Sequence, residues 1–330
     1  MMDILEVNDL TKKFGDFVAV DHISFTLQEG EIFGFLGPNG AGKSTAIKML
    51  TTILNPTSGE ARVCGYDIVR ERDAVRRNIG IVFQDPSSDR FLTGRENLRY
   101  HAVMYHMPRR EIEKRIDEVL ELLDLKGREN IPIKDCSAGI QRRFEVARGF
   151  MTRPRLLFLD EPTVGLDMQA RVRLWSYINK LREEEAITIL LTTHYIEEAD
   201  YLCDRVGIID HGKIVALDTP QNLKDVAGRE TVRVEVANGR GTRFADALRE
   251  MEWMRDIEHD GKEIRLGVED GESRIPQILT VASRMGVPVT SVEVVRPSLE
   301  DAFLHFTGKT IREEEGNLQD LRKARRRRRR

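Results

Sequence analysis

Cysteine is scarce in this sequence. There are three in 330 residues, and Cys64, Cys136 and Cys203 stand far apart with no metal-ligand spacing. That pattern excludes a disulfide framework and fits reduced thiols in a reducing compartment. No apolar run reaches the ~18 residues of a membrane-spanning helix. The first residues, MMDILEVNDL, lack the positive-then-apolar order of a signal peptide. A broad basic face is missing too. The formal net charge is −3, yet the last nine residues, RKARRRRRR, hold eight cations, so the remainder carries −11. So acidic a body does not read as a duplex-binding protein, and no specific nucleic-acid partner is expected. Neither a long internal repeat nor a long coiled-coil pattern is present.

What is there is a chain long enough for roughly two domains. Its residues are 40% hydrophobic and 32% charged, and the charged share stands above the usual ~25%. Residues 3–9 and 17–27 have strand-like composition. EIFGFL is a short apolar run, followed by GPNGAGKST and the helical AIKMLTTIL, the opening of a βα unit. From about Phe91 to Gly149 the reading is mostly helical, with Ile112, Ile116, Val119, Leu120 and Leu123 on one face. RLLFLD and AITILLTTH read as buried parallel strands, and VGIIDHGKIVALD as a hairpin around Asp210–Gly212. Near Asp225 the character changes. Residues 231–308 read strand, helix, two strands, helix, strand and a further helix from Ser298, a ferredoxin-like βαββαβ order.

The stretch Gly37, Pro38, Asn39, Gly40, Ala41, Gly42, Lys43, Ser44, Thr45 matches G-x-x-x-x-G-K-[ST] in the strand–loop–helix setting that this motif requires. Its glycines let backbone N–H groups curl around phosphate oxygens. Lys43 supplies a charge to the β- and γ-phosphates, and the Ser44 hydroxyl is a Mg²⁺ ligand. Asp160 ends LLFLD, which brings its carboxylate to the sheet edge near that loop, where it would hold Mg²⁺ through water. Glu161 follows and can polarise an attacking water. His194 ends another apolar strand and can reach a γ-phosphate. Gln84 follows IGIVF and can bridge metal and a mobile loop. Alone, each of Asp160, Glu161, Gln84 and His194 is equally an ordinary solvated strand-end residue.

A second small-residue turn, DCSAGIQRR, opens a helix at Ser137, and a helix N-terminus suits an anion. Taken in order, GPNGAGKST, Gln84, SAGIQ, FLDE, GLD and His194 closely resemble the ATP-binding subunits of ABC transporters over residues 1–225. The resemblance implies an α/β P-loop core with a helical subdomain over about 85–150. It makes SAGIQ the signature that caps ATP held by the P-loop of a second subunit, through Ser137, Ala138, Gly139 and Gln141. It further implies that Phe14 stacks on adenine, Gln84 is the Q-loop residue, Asp167 the D-loop residue, Glu161 the catalytic base and His194 the switch histidine. The signature departs from LSGGQ at Cys136, Ala138 and Ile140.

The region over 226–310, ending RPSLEDAFLHFTG, resembles the C-terminal part of daunorubicin-resistance-type exporter ATPases. That implies an ATP- and Mg²⁺-dependent ATPase, a homodimer closed by ATP, and a separate membrane permease for a drug, antibiotic or lipid-like compound. It further implies a peripheral position at the cytoplasmic face of the membrane. A non-transport ABC ATPase acting on nucleic acid, ribosomes or cluster assembly is the alternative, and a regulatory module without hydrolysis a third reading. Intact Glu161 and His194 speak against the third. Residues 311–330 read as a charged, disordered tail, with attraction of its arginines to anionic lipid as a second reading.

Overall fold

Patterning alone separates two kinds of strand in this chain. Asp3–Phe14 (β1) and Phe17–Gln28 (β2) alternate buried and exposed positions and pair antiparallel. Ile32–Leu36 (β3) is buried at every position, as a strand covered on both faces must be. Lys43–Leu50 (α1) follows. Ser58–Val63 (β4) and Tyr66–Asp67 (β5) complete a first sheet in the order β2-β1-β4-β5. The structure, a computed structural model, describes residues 3–228, 230–237, 241–260 and 262–309.

Arg72–Asn78 (α2) leads into Ile79–Val82 (β6). Three helices come next: Gly94–Met104 (α3), Arg109–Leu122 (α4) and Ala138–Phe150 (α5). Thr93 and Glu96 form a reciprocal capping box that starts α3. Ile112, Ile116, Val119 and Leu120 make the buried stripe of α4. Arg115 of the same helix is buried and donates to Phe150 O and Met151 O at 3.1 and 3.2 Å, satisfying carbonyls at the end of α5.

Leu156–Asp160 (β7), Met168–Glu185 (α6), Thr188–Thr193 (β8), Ile196–Leu202 (α7), Arg205–Asp210 (β9) and Lys213–Asp218 (β10) close the large unit. The second sheet runs β10-β9-β3-β8-β7-β6. All its neighbours are parallel except the β9–β10 hairpin. Phe25 of β2 stacks on Phe33 of β3 with ring centroids 5.2 Å apart and meets Phe35 edge-on at 5.0 Å, so the two sheets share one core.

Register fixes where the chemistry lies. Leu36 pairs with Thr193, and Asp160 with Thr192. Gly37, His194 and Glu161 therefore leave their strands along one edge, the carboxyl edge where open α/β sheets bind ligands.

The chain divides between Pro220 and Gln221. The expected boundary at 225 falls inside a helix, Pro220–Ala227 (α8). The second unit contains Glu230–Val236 (β11), Gly241–Arg249 (α9), Asp256–His259 (β12), Glu263–Val268 (β13), Gly271–Met285 (α10), Val289–Val295 (β14) and Leu299–Thr307 (α11). Its sheet is antiparallel throughout, in the order β12-β13-β11-β14, the ferredoxin-like arrangement. Val232, Val234, Ile264 and Leu266 form its core with Phe244, Leu248 and Ile278. The arginine-rich tail over 311–330, with its suggested lipid contact, lies outside the described residues.

Candidate functional site

The loop between β3 and α1 is shaped by glycine for two reasons. Gly40 and Gly42 have φ of +95° and +107°, left-handed backbone that side chains disfavour. Packing adds a second demand. A Cβ on Gly42 would stand 2.4 Å from Ala19 O, and one on Gly37 would stand 2.3 Å from Ile209 O. Gly42 is the N-cap of α1 and offers no side-chain cap of its own, and the N-terminus of a helix suits an anion. Ala41 and Lys43 are buried, Pro38 is buried, Asn39 and Gly40 are exposed, and Ser44 and Thr45 are half-buried.

Lys43 Nζ donates to Gly37 O at 2.7 Å and Pro38 O at 3.0 Å, and lies 3.3 Å from Glu161 Oε1. The other carboxylate oxygen, Glu161 Oε2, lies 3.3 Å from both Gln84 Nε2 and His194 Nδ1. The Gln84 amide makes a hydrogen bond, while the His194 nitrogen lies within ion-pair range without a hydrogen-bond partner of its own. Burial pushes the Glu161 carboxyl up, but the His194 ring and the Lys43 ammonium outweigh it and hold the group below the usual carboxylate range. Glu161 is therefore ionised at neutral pH although only 4% exposed. Its φ of +47° is left-handed, and its own N–H is fixed by Thr192 O at 3.1 Å and Thr192 Oγ1 at 3.0 Å. Asp160 Oδ1 accepts from Ser44 Oγ at 2.9 Å and Thr192 Oγ1 at 2.6 Å.

Lys43, Ser44, Gln84, Asp160, Glu161 and His194 thus lie in one cluster, with Thr192 linking the two acids. Phe14 is not in it. The ring ends β1, 49% exposed, with Lys12 Nζ 5.2 Å from its centroid.

The signature residues lie elsewhere. Ser137 is the N-cap of α5 and makes no side-chain cap. Together with Ala138, Gly139, Gly165 and Asp167 it lines a separate depression of about 520 Å³ that contains no P-loop residue. Lys126, Arg128, Arg143 and Arg173 line it against Asp124 and Asp167, so its net positive charge suits an anion. Asp167 caps α6 by accepting from Ala170 N at 2.8 Å. Gln141 turns back, its Nε2 donating to Cys136 O at 2.9 Å.

Two residues that sequence reading passed over complete the site. Thr192, the link between Asp160 and Glu161, is one of two threonines in ILLTTH, and only the strand register picks it out. Arg142 sits unremarked inside QRR, and its guanidinium is buried against the backbone of both strand-end acids.

Residues 20–164 match the ABC transporter family, and 219–307 match the C-terminal domain of DrrA1-3-like ATP-binding proteins. The linearmycin resistance ATP-binding protein LnrL of Bacillus subtilis is 36% identical over 94% of this chain and all of its own length. Among solved structures, CbiO1 of Clostridium perfringens, part of the ABC transporter complex CbiONQ, is 30% identical. It overlays 69% of this chain and 94% of its own with a TM-score of 0.64. A dimeric ATP-binding cassette in a post-hydrolysis state with ADP and Pi is 27% identical, covering 65% of this chain and 98% of its own, with a TM-score of 0.59.

Proposed function

This chain belongs to the ABC transporter family of ATP-binding proteins, and from that premise we propose that it is the ATP-hydrolysing subunit of an exporter. Two copies close around two ATP molecules and drive a separate membrane permease for a drug, antibiotic or lipid-like compound. The observation that carries the reading is the meeting of Lys43, Gln84 and His194 on the Glu161 carboxylate. An ionised, buried acid beside a phosphate loop is a general base aimed at water attacking a γ-phosphate.

In this reading Phe14 stacks on adenine, and Gly37 through Thr45 cradle the phosphates. Lys43 neutralises their charge, and His194 holds the γ-phosphate against Glu161. The Ser44 hydroxyl, the Asp160 carboxylate and the Gln84 amide are hard oxygen donors at one edge, a set that fits Mg²⁺. When bound, the ion neutralises charge on the β- and γ-phosphates. Ser137, Ala138, Gly139, Gln141 and Asp167 serve the partner's nucleotide. The depression lined by Ser137, Ala138, Gly139 and Asp167 has cations and the N-terminus of α5 but no lysine loop to gather a triphosphate alone. LnrL is named for linearmycin resistance, which supports the export reading, and CbiO1 for membership of a transporter complex, which supports a partner permease. No helix among the described residues is long and apolar enough to cross a membrane. The permease supplies that path, with this subunit at the cytoplasmic face.

Glu161→Gln tests the proposal. Turnover is expected to fall by about 10²–10⁴-fold, the usual contribution of a general base, while ATP still binds and an ATP-held dimer accumulates on size-exclusion chromatography. Turnover close to that of the unaltered chain would remove Glu161 from its role.

A further inference from the structure

Arg142 projects from α5, the helix that begins at the signature, and it is 7% exposed. Its guanidinium meets four backbone carbonyls and forms no salt bridge among the described residues. Nε donates to Pro162 O at 2.6 Å, Nη1 to Phe83 O at 2.6 Å, and Nη2 to Asp160 O and Glu161 O, both at 3.1 Å. One planar fork therefore grips the backbone of the strand-end acids and the residue before Gln84. The same helix takes a second hold on that segment one turn later. Glu145 accepts from Ser87 N at 3.1 Å, Ser87 Oγ at 3.0 Å and Ser88 N at 2.8 Å. Arg148 is ion-paired to it at 3.1 Å. Between these two holds lies Gln84, whose amide touches Glu161.

We infer that Arg142 is a positioning residue that couples the two nucleotide sites of the closed dimer by moving α5 and the Glu161 backbone as one piece. The inference rests on the proposed function, in which the signature caps the partner's ATP. The signature's start and Arg142 are a little more than one helical turn apart on α5, so a shift of the helix that seats Ser137 on that nucleotide is carried to the carbonyls on either side of Glu161. Glu161 is held in left-handed backbone, a conformation that persists only where surroundings enforce it. The Arg142 fork on its carbonyl and Thr192 on its amide supply that enforcement. A guanidinium is the side chain suited to this task, because its five donors lie in a rigid plane, whereas a lysine offers one nitrogen. Burial lowers the Arg142 pKa, and Glu145, Asp160, Glu198 and Glu161 work against that shift.

The test uses the full-length protein. Arg142→Lys is expected to lower kcat at least tenfold with KM for ATP within threefold, and to reduce the Hill coefficient for ATP to 1. On the Glu161→Gln background it should still form the ATP-held dimer. Turnover within twofold of the unaltered chain, or loss of ATP binding by a folded variant, overturns the inference. A second measurement leaves Arg142 in place. A mixed dimer carries Ser137→Arg in one protomer only. Its one intact composite site uses the P-loop and Glu161 of the altered protomer. Coupling through α5 slows that site at least fivefold below half of the unaltered rate, and a full half rate overturns the inference. The underlying reading fails separately, when a Ser137→Arg homodimer hydrolyses ATP normally.

Discussion

In the small unit, Val232, Val234, Ile264 and Leu266 meet Phe244 and Leu248, and no polar or charged side chain is buried among its described residues. In the large unit Lys43, Arg115, Arg142, Glu145, Asp160, Glu161 and Glu198 are all buried. Burying a charge is costly unless it is paired and hydrogen-bonded, and breaking such a pair leaves its partner stranded. The small unit is therefore built as a plain apolar core. The large one gives up stability to hold charges where phosphate chemistry needs them. If so, damage to the two units should separate cleanly, stability in one and nucleotide handling in the other.

The largest expected effect tests that separation. Phe244 is fully buried in the small core, so Phe244→Ala should cost about 3–5 kcal/mol. Hydrogen exchange at the amides of β11 and β13 reads the loss. Every nucleotide residue named above precedes Pro220, so ATP affinity should stay within twofold. A tenfold loss of affinity would break the comparison.

Next in size is Lys43→Ala. Removing one partner of a buried charged contact typically costs about 2–5 kcal/mol in binding, and ATP affinity measured by titration of a fluorescent analogue should fall accordingly. The β11 and β13 amides should exchange as before. Ser137→Arg sharpens the contrast, because its depression contains no P-loop residue; binding to a monomer should survive there. Gly139→Asp is a poorer probe, since its Cβ alone would stand 3.0 Å from Ala170 Cβ in the same chain.

The two units also differed in how far the sequence revealed them. The small one was legible as a βαββαβ order because each element is short, separately patterned and packed on one face. The P-loop was legible because local backbone geometry dictates both its glycines and its spacing. Arg142 was not. Buried positions on α5 include Arg142, Phe144, Glu145, Val146, Ala147, Gly149 and Phe150, too broad a set for a helical stripe to distinguish Arg142 from Arg143. Its four acceptors are main-chain atoms, which leave no trace in residue identity. Thr192 is invisible for a related reason: it acts through register, which no single strand shows. Boundaries were legible only roughly, since α8 runs straight through the change in composition near Asp225.

Glu198 was the least legible of all, because nothing in IEEAD distinguishes it from Glu197, yet the residue is fully buried on α7. It offers the smallest and most direct test of the claim that the large unit gives up stability for its charges. Glu198 Oε1 accepts from Trp175 Nε1 at 2.9 Å, while Oε2 has no hydrogen-bond partner. Burial pushes its carboxyl up, against the opposing pull of Thr193, Trp175, Thr163 and the Arg171 charge. A carboxyl with a raised folded pKa holds its proton more tightly in the folded chain. Its contribution is thus most favourable below the ordinary Glu value of about 4.3 and is lost as pH rises through the raised value. Glutamine keeps the acceptor for Trp175 and never ionises. Glu198→Gln should therefore be more stable than the unaltered chain by about 1 kcal/mol at pH 8, with the gain shrinking as pH falls toward 4. Thermal unfolding across that range checks the trend. A variant that is less stable at every pH, or whose advantage grows on acidification, would mean that the buried charge itself supports the fold, and the contrast between the two units would fail at its clearest point.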